Sequence, residues 1–489
     1  MIKKNIVTSS DSAHLFDKFF LSHWKVWYFY LGIISILTTL LIWLSYEQTF
    51  SRQSVQLLWL AKYSPDTVFL KLLAIPASMG ETTVVLTLAF IHMMLALIFV
   101  RVGEQIGIGR RTLFVLFLCL NFSPEYNHSR FLIDSTLIWS LLWLVAVWWF
   151  LSWYEKSLIT AFIGWAALIW INTFFGLYSL LWALGFPLCF LCWPGRYRHW
   201  WQGITERVRF LLVYYLIVAL VISFSPEWWE TLWQLANKTW QQFQQMAKEI
   251  SLFMSSDRSF DLDVGTAFLF SLQLVAINAL KVAGLPVIFI LWLSVKMKIS
   301  SVLKGRVQLF SCFCLGFSWV ITAVALLYQG HVPEDLLFLP ILFLFLWLGA
   351  KGTYYAIQKI SSGAIAPERL LIGGWLLVAY AIASVIQFGP SPVYQRLAGE
   401  WVANHPTAGK VMSNSAIALY YAEESPLPDN ASHMELDDAA FLNSALTSQD
   451  YFIHAQNRHR TLSLDFSHFK ILAQFSNRRG DTAYVLVPK

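Results

Sequence analysis

Charge is what this sequence has least of. Only 13% of its 489 residues are Asp, Glu, Lys or Arg, against about 25% in ordinary soluble domains. That scarcity excludes a soluble enzyme of several domains, and it excludes disorder, which needs high charge and low hydrophobicity. Cysteine is also scarce. The five residues, Cys119, Cys189, Cys192, Cys312 and Cys314, all fall in apolar runs, so no disulfide framework exists. Cys189 and Cys192 form a C-x-x-C with no second pair, which fits helix packing better than metal or redox work. Soluble-enzyme motifs are missing too: there is no P-loop, G-x-G-x-x-G, H-E-x-x-H or G-x-S-x-G. What is present is apolar. The chain is 57% hydrophobic and 17% aromatic, with 24 Trp, a bias typical of bilayer interfaces.

A spanning helix needs about 20 mostly apolar residues. Eleven such runs are predicted, at 26–45, 83–100, 106–122, 133–153, 157–172, 174–193, 209–224, 281–296, 307–327, 336–350 and 370–388. The first is too long for a removed signal peptide and is expected to stay as the first span. With the N-terminus inside, the inner segments carry 19 Lys and Arg and the outer loops 8. The acids reverse this, 6 inside and 13 outside. The positive-inside rule therefore predicts a cytoplasmic N-terminus and an extracytoplasmic tail. Counting residues 264–280 as a twelfth crossing would put Lys296, Lys298, Lys304 and Arg306 outside. That stretch is read instead as an interfacial or re-entrant helix running into the crossing at 281–296. The net charge of +6 thus reports orientation against anionic lipid. No basic, aromatic-interleaved patch remains for nucleic acid.

The expected fold is a polytopic α-helical membrane protein with a C-terminal mixed α/β domain. Residues 1–389 form the membrane part, with long outer loops at 46–82 and 225–280. Residues 390–489 form the extracytoplasmic domain, entered through Gly389-Pro390-Ser391-Pro392. In the tail, helices are predicted at 393–404, 415–423 (capped by Asn414) and 434–446. Strands are predicted at 410–413, 450–455, 469–475 and 482–487. The outer loops contain amphipathic stretches, VQLLWLAKY at 55–63 and WWETLWQLANKTWQQF at 228–243, suited to lie in the interface plane.

Chemistry is sought among the few charges at outer helix ends. Glu47 directly follows the first span and could deprotonate an acceptor hydroxyl; the alternative is a solvated end-of-helix charge. Glu125, His128, Arg130 and Asp134 lie together in SPEYNHSRFLID. Arg130 and Asp134, four apart at the start of a span, would share a helix face. Asp134 could then orient Arg130 towards a phosphate or sugar, or the two could be a structural ion pair. His331, Glu334 and Asp335 precede a late span, as headgroup ligands or as an ordinary polar loop. Lys62, Asp66, Lys71 and Glu81 occupy the first long loop. Arg52 and Arg258 are further cations able to meet a lipid phosphate. Asp257, Asp261 and Asp263 fit no calcium loop.

This pattern resembles the GT-C fold of integral-membrane glycosyltransferases, in the bacterial branch that includes protein O-mannosyltransferase-like and aminoarabinose-transferase-like enzymes. Four features carry the resemblance. Glu47 stands just outside the first span, before a long amphipathic loop. GRRTLFVLFLCLNFSPEYNHSRFLIDSTLIWSLL at 109–142 looks like the family's basic turn, short span and "SP…SR" loop. HVPEDLLFLPILFLFLWLGAKG at 331–352 is similar to its late Pro-containing span. LAGEWVANHPTAGKVMSNSAIALYYAEE and FKILAQFSNRRGDTAYVLVP look like its tail and closing strands. The resemblance implies transfer of a sugar from a polyprenyl-phosphate-linked donor, with inversion, on the extracytoplasmic face of the bacterial inner membrane. The acceptor would be a lipid, a glycan or a protein. It makes Glu47 the candidate general base or acceptor-binding acid, maps Arg130 and Asp134 onto the polar second loop and puts His331 near the donor phosphate. No cofactor follows; a divalent cation is compatible, and no metal-ligand set stands out. The chain departs from the family in having Gln48 where a second acid is common, and in lacking Arg-Tyr in the late loop.

Two rival classes fit parts of the sequence. A transporter or flippase of lipid-linked sugars would explain the spans, but not the α/β tail or the near absence of charge deep within them. A non-catalytic scaffold of an envelope-polysaccharide complex would use the tail as a docking module.

Overall fold

The computed structural model describes residues 24–45, 49–123, 126–127, 129–154, 156–173, 188, 203–224, 264–296, 339–364, 367–385, 391–424, 450–458 and 466–489, with scattered positions in 230–245 and 314–323. Among the described residues up to 385 there are eleven helices: α1 Trp24–Ser45, α2 Arg52–Tyr63, α3 Val68–Ser78, α4 Glu81–Gln105, α5 Arg110–Asn121, α6 Ser135–Trp153, α7 Leu158–Thr173, α8 Ile204–Phe224, α9 Val264–Lys296, α10 Leu339–Ser361 and α11 Pro367–Val385. A helix rises about 1.5 Å per residue, so the 22 residues of α1 and 25 of α4 suit a hydrocarbon core of about 30 Å. Among the described residues, five helical stretches are long and apolar enough to cross a membrane: Trp24–Ser45, Glu81–Gln105, Ser135–Trp153, Leu272–Val295 and Leu339–Ser361. The run expected at 106–122 forms only the 12-residue α5, because Gly107 (φ 90°) and Gly109 hold its first residues in a turn. The run at 174–193 lies outside the described residues but for one position, and that at 307–327 largely so.

The chain divides into two compact units. The first comprises residues 1–36, 91–126 and 136–379; the second comprises 37–90, 127–135 and 380–489. In the first, α10 is the most enclosed helix, with Leu339–Trp347 buried throughout. Phe99 of α4 stacks on Trp347 with ring centroids 5.5 Å apart. α9 lies against α10 so closely that a methyl group on Gly352 would come within 2.2 Å of the Ile290 carbonyl oxygen. Ser294 fills that seam: its hydroxyl accepts from the Gly352 N–H at 2.7 Å.

α9 is two helical pieces joined at Gly284, whose φ of 72° and ψ of 167° leave the helix, with Pro286 two residues on. The sequence reading divides the interfacial or re-entrant stretch 264–280 from the crossing at 281–296; the break falls four residues after 280. Only there does the sequence combine a residue free to take positive φ with one lacking an N–H.

In the second unit the tail forms α12 Val393–Asn404, β1 Val411–Ser413, α13 Ala416–Tyr421, β2 Tyr451–Gln456, β3 Phe469–Ser476 and β4 Thr482–Pro488. The sheet order is β1-β2-β4-β3, with β1 parallel to β2 and the remaining pairs antiparallel. Its core is Ile453, Ala483 and Val485 against Tyr394, Ala398 and Val402 of α12. The helix expected at 434–446 lies outside the described residues. Ser415, not Asn414, caps α13, accepting from the Ala418 N–H at 3.2 Å. Asn414 instead extends the β1–β2 pairing: it accepts from the Ala455 N–H at 2.7 Å and donates to the Ala455 carbonyl at 2.9 Å.

Candidate functional site

The second unit gathers the end of α1, the helices α2 and α3, the start of α4, loop 127–135, the end of α11 and the tail. These include three of the segments that the charge count assigns to the outer side. Two polar clusters hold them together.

Arg130 is the centre of the first. It lies in a short 3-10 turn, Ser129–Phe131, and its side chain has no exposed surface. Its Nε donates to Asn127 Oδ1 at 2.9 Å, and its guanidinium also bonds the Thr39 hydroxyl of α1. Asn127 in turn donates to the Ser384 hydroxyl and carbonyl of α11, at 3.2 and 3.3 Å. Ser54 of α2 clasps the same loop, donating to the Phe131 carbonyl and accepting from the Ile133 N–H, both at 3.0 Å. Trp43 packs between Phe50 and Phe131, 4.7 and 5.0 Å between centroids. Thus both flanks of Glu47 are fixed: Ser45 donates to the Val385 carbonyl at 2.7 Å, and Phe50 is buried.

The second cluster lies where α4 begins. Glu81 opens that helix, with one carboxylate oxygen buried and without a hydrogen-bond partner. Beside it stand Tyr420 and Tyr421 of α13 and Arg396 of α12. The Tyr421 hydroxyl is likewise buried, facing Glu81 without a hydrogen bond of ordinary geometry. Burial, and then the Glu81 charge, push both phenols well above the usual tyrosine range. The Arg396 guanidinium lies 5.3 Å from the Tyr421 ring centroid, and its Nε bonds Glu400 at 2.6 Å. Burial works against the charge on Arg396, but the Glu400 bond and the surrounding negative charge keep it firmly protonated. Gly399 allows this placement: a methyl group there would meet the Ala418 carbonyl at 2.3 Å and Tyr421 Cβ at 2.9 Å.

The residues singled out from sequence are distributed as follows. Glu47, Glu125, His128, Arg258, His331 and Glu334 lie outside the described residues. Arg52 and Lys62 are exposed at opposite ends of α2, roughly 15 Å apart by helical rise. Lys62 sits 5.2 Å from the centroid of the Tyr63 ring. Asp66 is exposed and accepts weakly from Ser64 at 3.4 Å. Arg130 and Asp134 do not share a helix face. Residues 132–134 belong to no helix and α6 starts only at Ser135, whose hydroxyl donates to Asp134 at 3.3 Å. Among the described residues no group of three His, Cys, Asp or Glu is placed to hold a metal.

Sequence reasoning passed over Thr39, Ser54, Asn127 and Ser384, whose partners are distant in the chain. It also passed over His92, fully buried in α4, with Nδ1 2.7 Å from the Tyr126 hydroxyl. A lone histidine inside an apolar run, LAFIHMMLALIF, was the available signal.

Fold and composition define the class: a largely α-helical membrane protein with a small sheet in its tail. No protein-family profile matches the chain, and no curated protein is similar to it. Among solved structures it is similar to two cryo-electron-microscopy classes of a mutant mycobacterial arabinofuranosyltransferase, AftD. The TM-scores are 0.44 and 0.43 and the identities 14% and 13%. Each superposition covers 94% of this chain and 41% of the other, so the chain spans less than half the length of those proteins.

Proposed function

We propose that this chain is a GT-C-type membrane glycosyltransferase. It moves a sugar from a polyprenyl-phosphate-linked donor to a lipid, glycan or protein acceptor on the extracytoplasmic face of the bacterial inner membrane. The observation that carries the reading is the second unit, in which the first long loop, loop 127–135 and the tail form one body around the flanks of Glu47. A transporter has no need of such a body, whereas a transferase on a hydrophobic donor needs a rigid polar site at the membrane edge.

In this reading Glu47 takes the proton from the acceptor hydroxyl as its oxygen attacks the anomeric carbon. The bond to the donor phosphate breaks on the opposite side, which inverts that carbon. The negative charge developing on the leaving lipid phosphate is met by outer-loop cations, with Arg52, Lys62, Arg258 and His331 as candidates. Asp66, Glu125, His128, Asp134 and Glu334 are candidate acceptors for sugar hydroxyls. Arg130, enclosed by Thr39 and Asn127, acts through the loop it holds.

The test is transfer by membranes holding the full chain, offered polyprenyl-phosphate-linked pentoses and hexoses. Glu47→Gln abolishes transfer at unchanged expression. Full activity in that variant would sink the role of Glu47. Absence of transfer by the unsubstituted chain with every donor would sink the enzyme reading in favour of a scaffold.

A further inference from the structure

α3 is buried on one side and bare on the other, and both sides are apolar. Leu70, Leu73 and Pro76 are buried within the second unit. Val68, Leu72, Ile75 and Met79 are 44%, 49%, 64% and 71% exposed. Those four are spaced i, i+4, i+7 and i+11. At 100° per residue they form one narrow stripe along the helix. Lys71, also exposed, stands at the edge of that stripe. α2 is different: its apolar residues Val55, Leu58 and Ala61 are turned inward, and Arg52, Gln53 and Lys62 are exposed. The amphipathic stretch recognised in the sequence at 55–63 is therefore satisfied inside the protein. The unmatched apolar face belongs to its neighbour.

We propose that α3 is a membrane-inserted helix whose Val68–Leu72–Ile75–Met79 stripe contacts the acyl chains of the outer leaflet. Two observations commit the stripe to lipid. α3 ends at Ser78 and α4 begins at Glu81, so the stripe leads directly into a span. In the same unit α4 also bares apolar side chains, Leu86 and Phe90, one turn apart. The helix is also flanked as an interfacial helix should be. Trp59 and Tyr63 pair at 4.1 Å just before it, with Lys62 over the Tyr63 ring, and Lys71 is long enough to reach headgroup phosphates. Such a helix sinks about 5–10 Å into the headgroup and acyl boundary. It fixes the depth of the polar clusters around Arg130 and Glu81. The inference rests on the membrane reading and on the orientation read from the charges, and stands apart from the transfer reaction.

The test is site-directed spin labelling of the full chain in vesicles of phosphatidylethanolamine and phosphatidylglycerol. Cysteine is placed at Leu72, Ile75 or, for contrast, Gln53, and the unsubstituted chain is labelled in parallel as the baseline. Labels at 72 and 75 collide readily with oxygen and are shielded from a water-soluble nickel chelate; the label at 53 shows the reverse. Nickel access at 72 and 75 would overturn the proposal, because the stripe would then face water. Exclusion of both reagents would also overturn it, since a protein segment or a second copy would be seated there.

Discussion

Ser123 caps the carbonyl that Pro286 leaves open. In an α-helix the N–H of residue 286 would bond the carbonyl of Val282, four residues back. Proline has no N–H. The Ser123 hydroxyl, at the end of α5, donates to that carbonyl instead, at 2.8 Å and fully buried. An irregular backbone next to lipid is tolerated only where its polar groups find partners within the protein. Because Ser123 follows α5, the break in α9 lies level with the end of that helix.

Ser123→Ala leaves the Val282 carbonyl buried without its partner, at a cost of about 1–3 kcal/mol. The expected result is a lower unfolding midpoint for the full chain in detergent, with Ser123→Thr close to the unsubstituted protein. An unchanged midpoint in the alanine variant would show that another group supplies the bond.

Arg130 separates a structural role from a substrate-binding one. Its guanidinium joins α1 to loop 127–135 through Thr39 and Asn127. Lysine cannot reproduce that fork. Arg130→Lys and Arg130→Met should destabilise the fold by about 1–3 kcal/mol, as expected when buried polar partners are left unsatisfied. The measurement is thermal stability together with folded yield. A variant that keeps full stability and only weakens donor binding would make Arg130 a ligand of the phosphate.

What the sequence made legible was local. Alternation marked all four strands of the tail to within a residue or so, and long apolar runs marked α1, α4, α6 and α10. What stayed hidden depends on pairings across hundreds of residues. Ser45 meets Val385, Asn127 meets Ser384, and Glu81 stands beside Tyr421. No spacing rule reaches so far. The Arg130–Asp134 reading failed for a different reason. The i,i+4 rule holds only inside an α-helix, and here Arg130 lies in a 3-10 turn while residues 132–134 belong to no helix. The amphipathic pattern at 55–63 was recognised correctly, but a pattern does not say whether lipid or protein covers the apolar face.

The tail should be sensitive to alkali, and the sign follows from Tyr420 and Tyr421. Unfolded phenols titrate near pH 10, while burial and the Glu81 charge hold the folded ones protonated to higher pH. Above about pH 10 the unfolded chain therefore binds fewer protons than the folded one, and stability falls as pH rises. Below that range the contribution is fully present and flat. Tyr421→Phe removes one titrating group, so the alkaline unfolding midpoint, followed by circular dichroism of the full chain, should move upward. A midpoint that stays or moves down would mean that Tyr421 ionises normally in the fold.

Gly399 gives the strictest steric test. α12 crosses α13 at this residue, and an added methyl group would meet backbone, the Ala418 carbonyl at 2.3 Å and the Ala422 nitrogen at 3.1 Å. Backbone cannot rotate aside as a side-chain tip can, so the two helices must separate. Overpacking of this kind costs about 1–3 kcal/mol. The separation would also carry Tyr421 away from Glu81 and Arg396, because Tyr421 Cβ is the next contact at 2.9 Å. Gly373 in α11 is the control: nothing lies within 4 Å of its added methyl, and alanine there gains helix propensity. Gly399→Ala should raise hydrogen exchange in Ala416–Tyr421 and lower thermal stability, while Gly373→Ala leaves both unchanged or slightly improved. Equal behaviour of the two variants would show that α12 and α13 are not in close contact and that Tyr421 is not held over the start of α4.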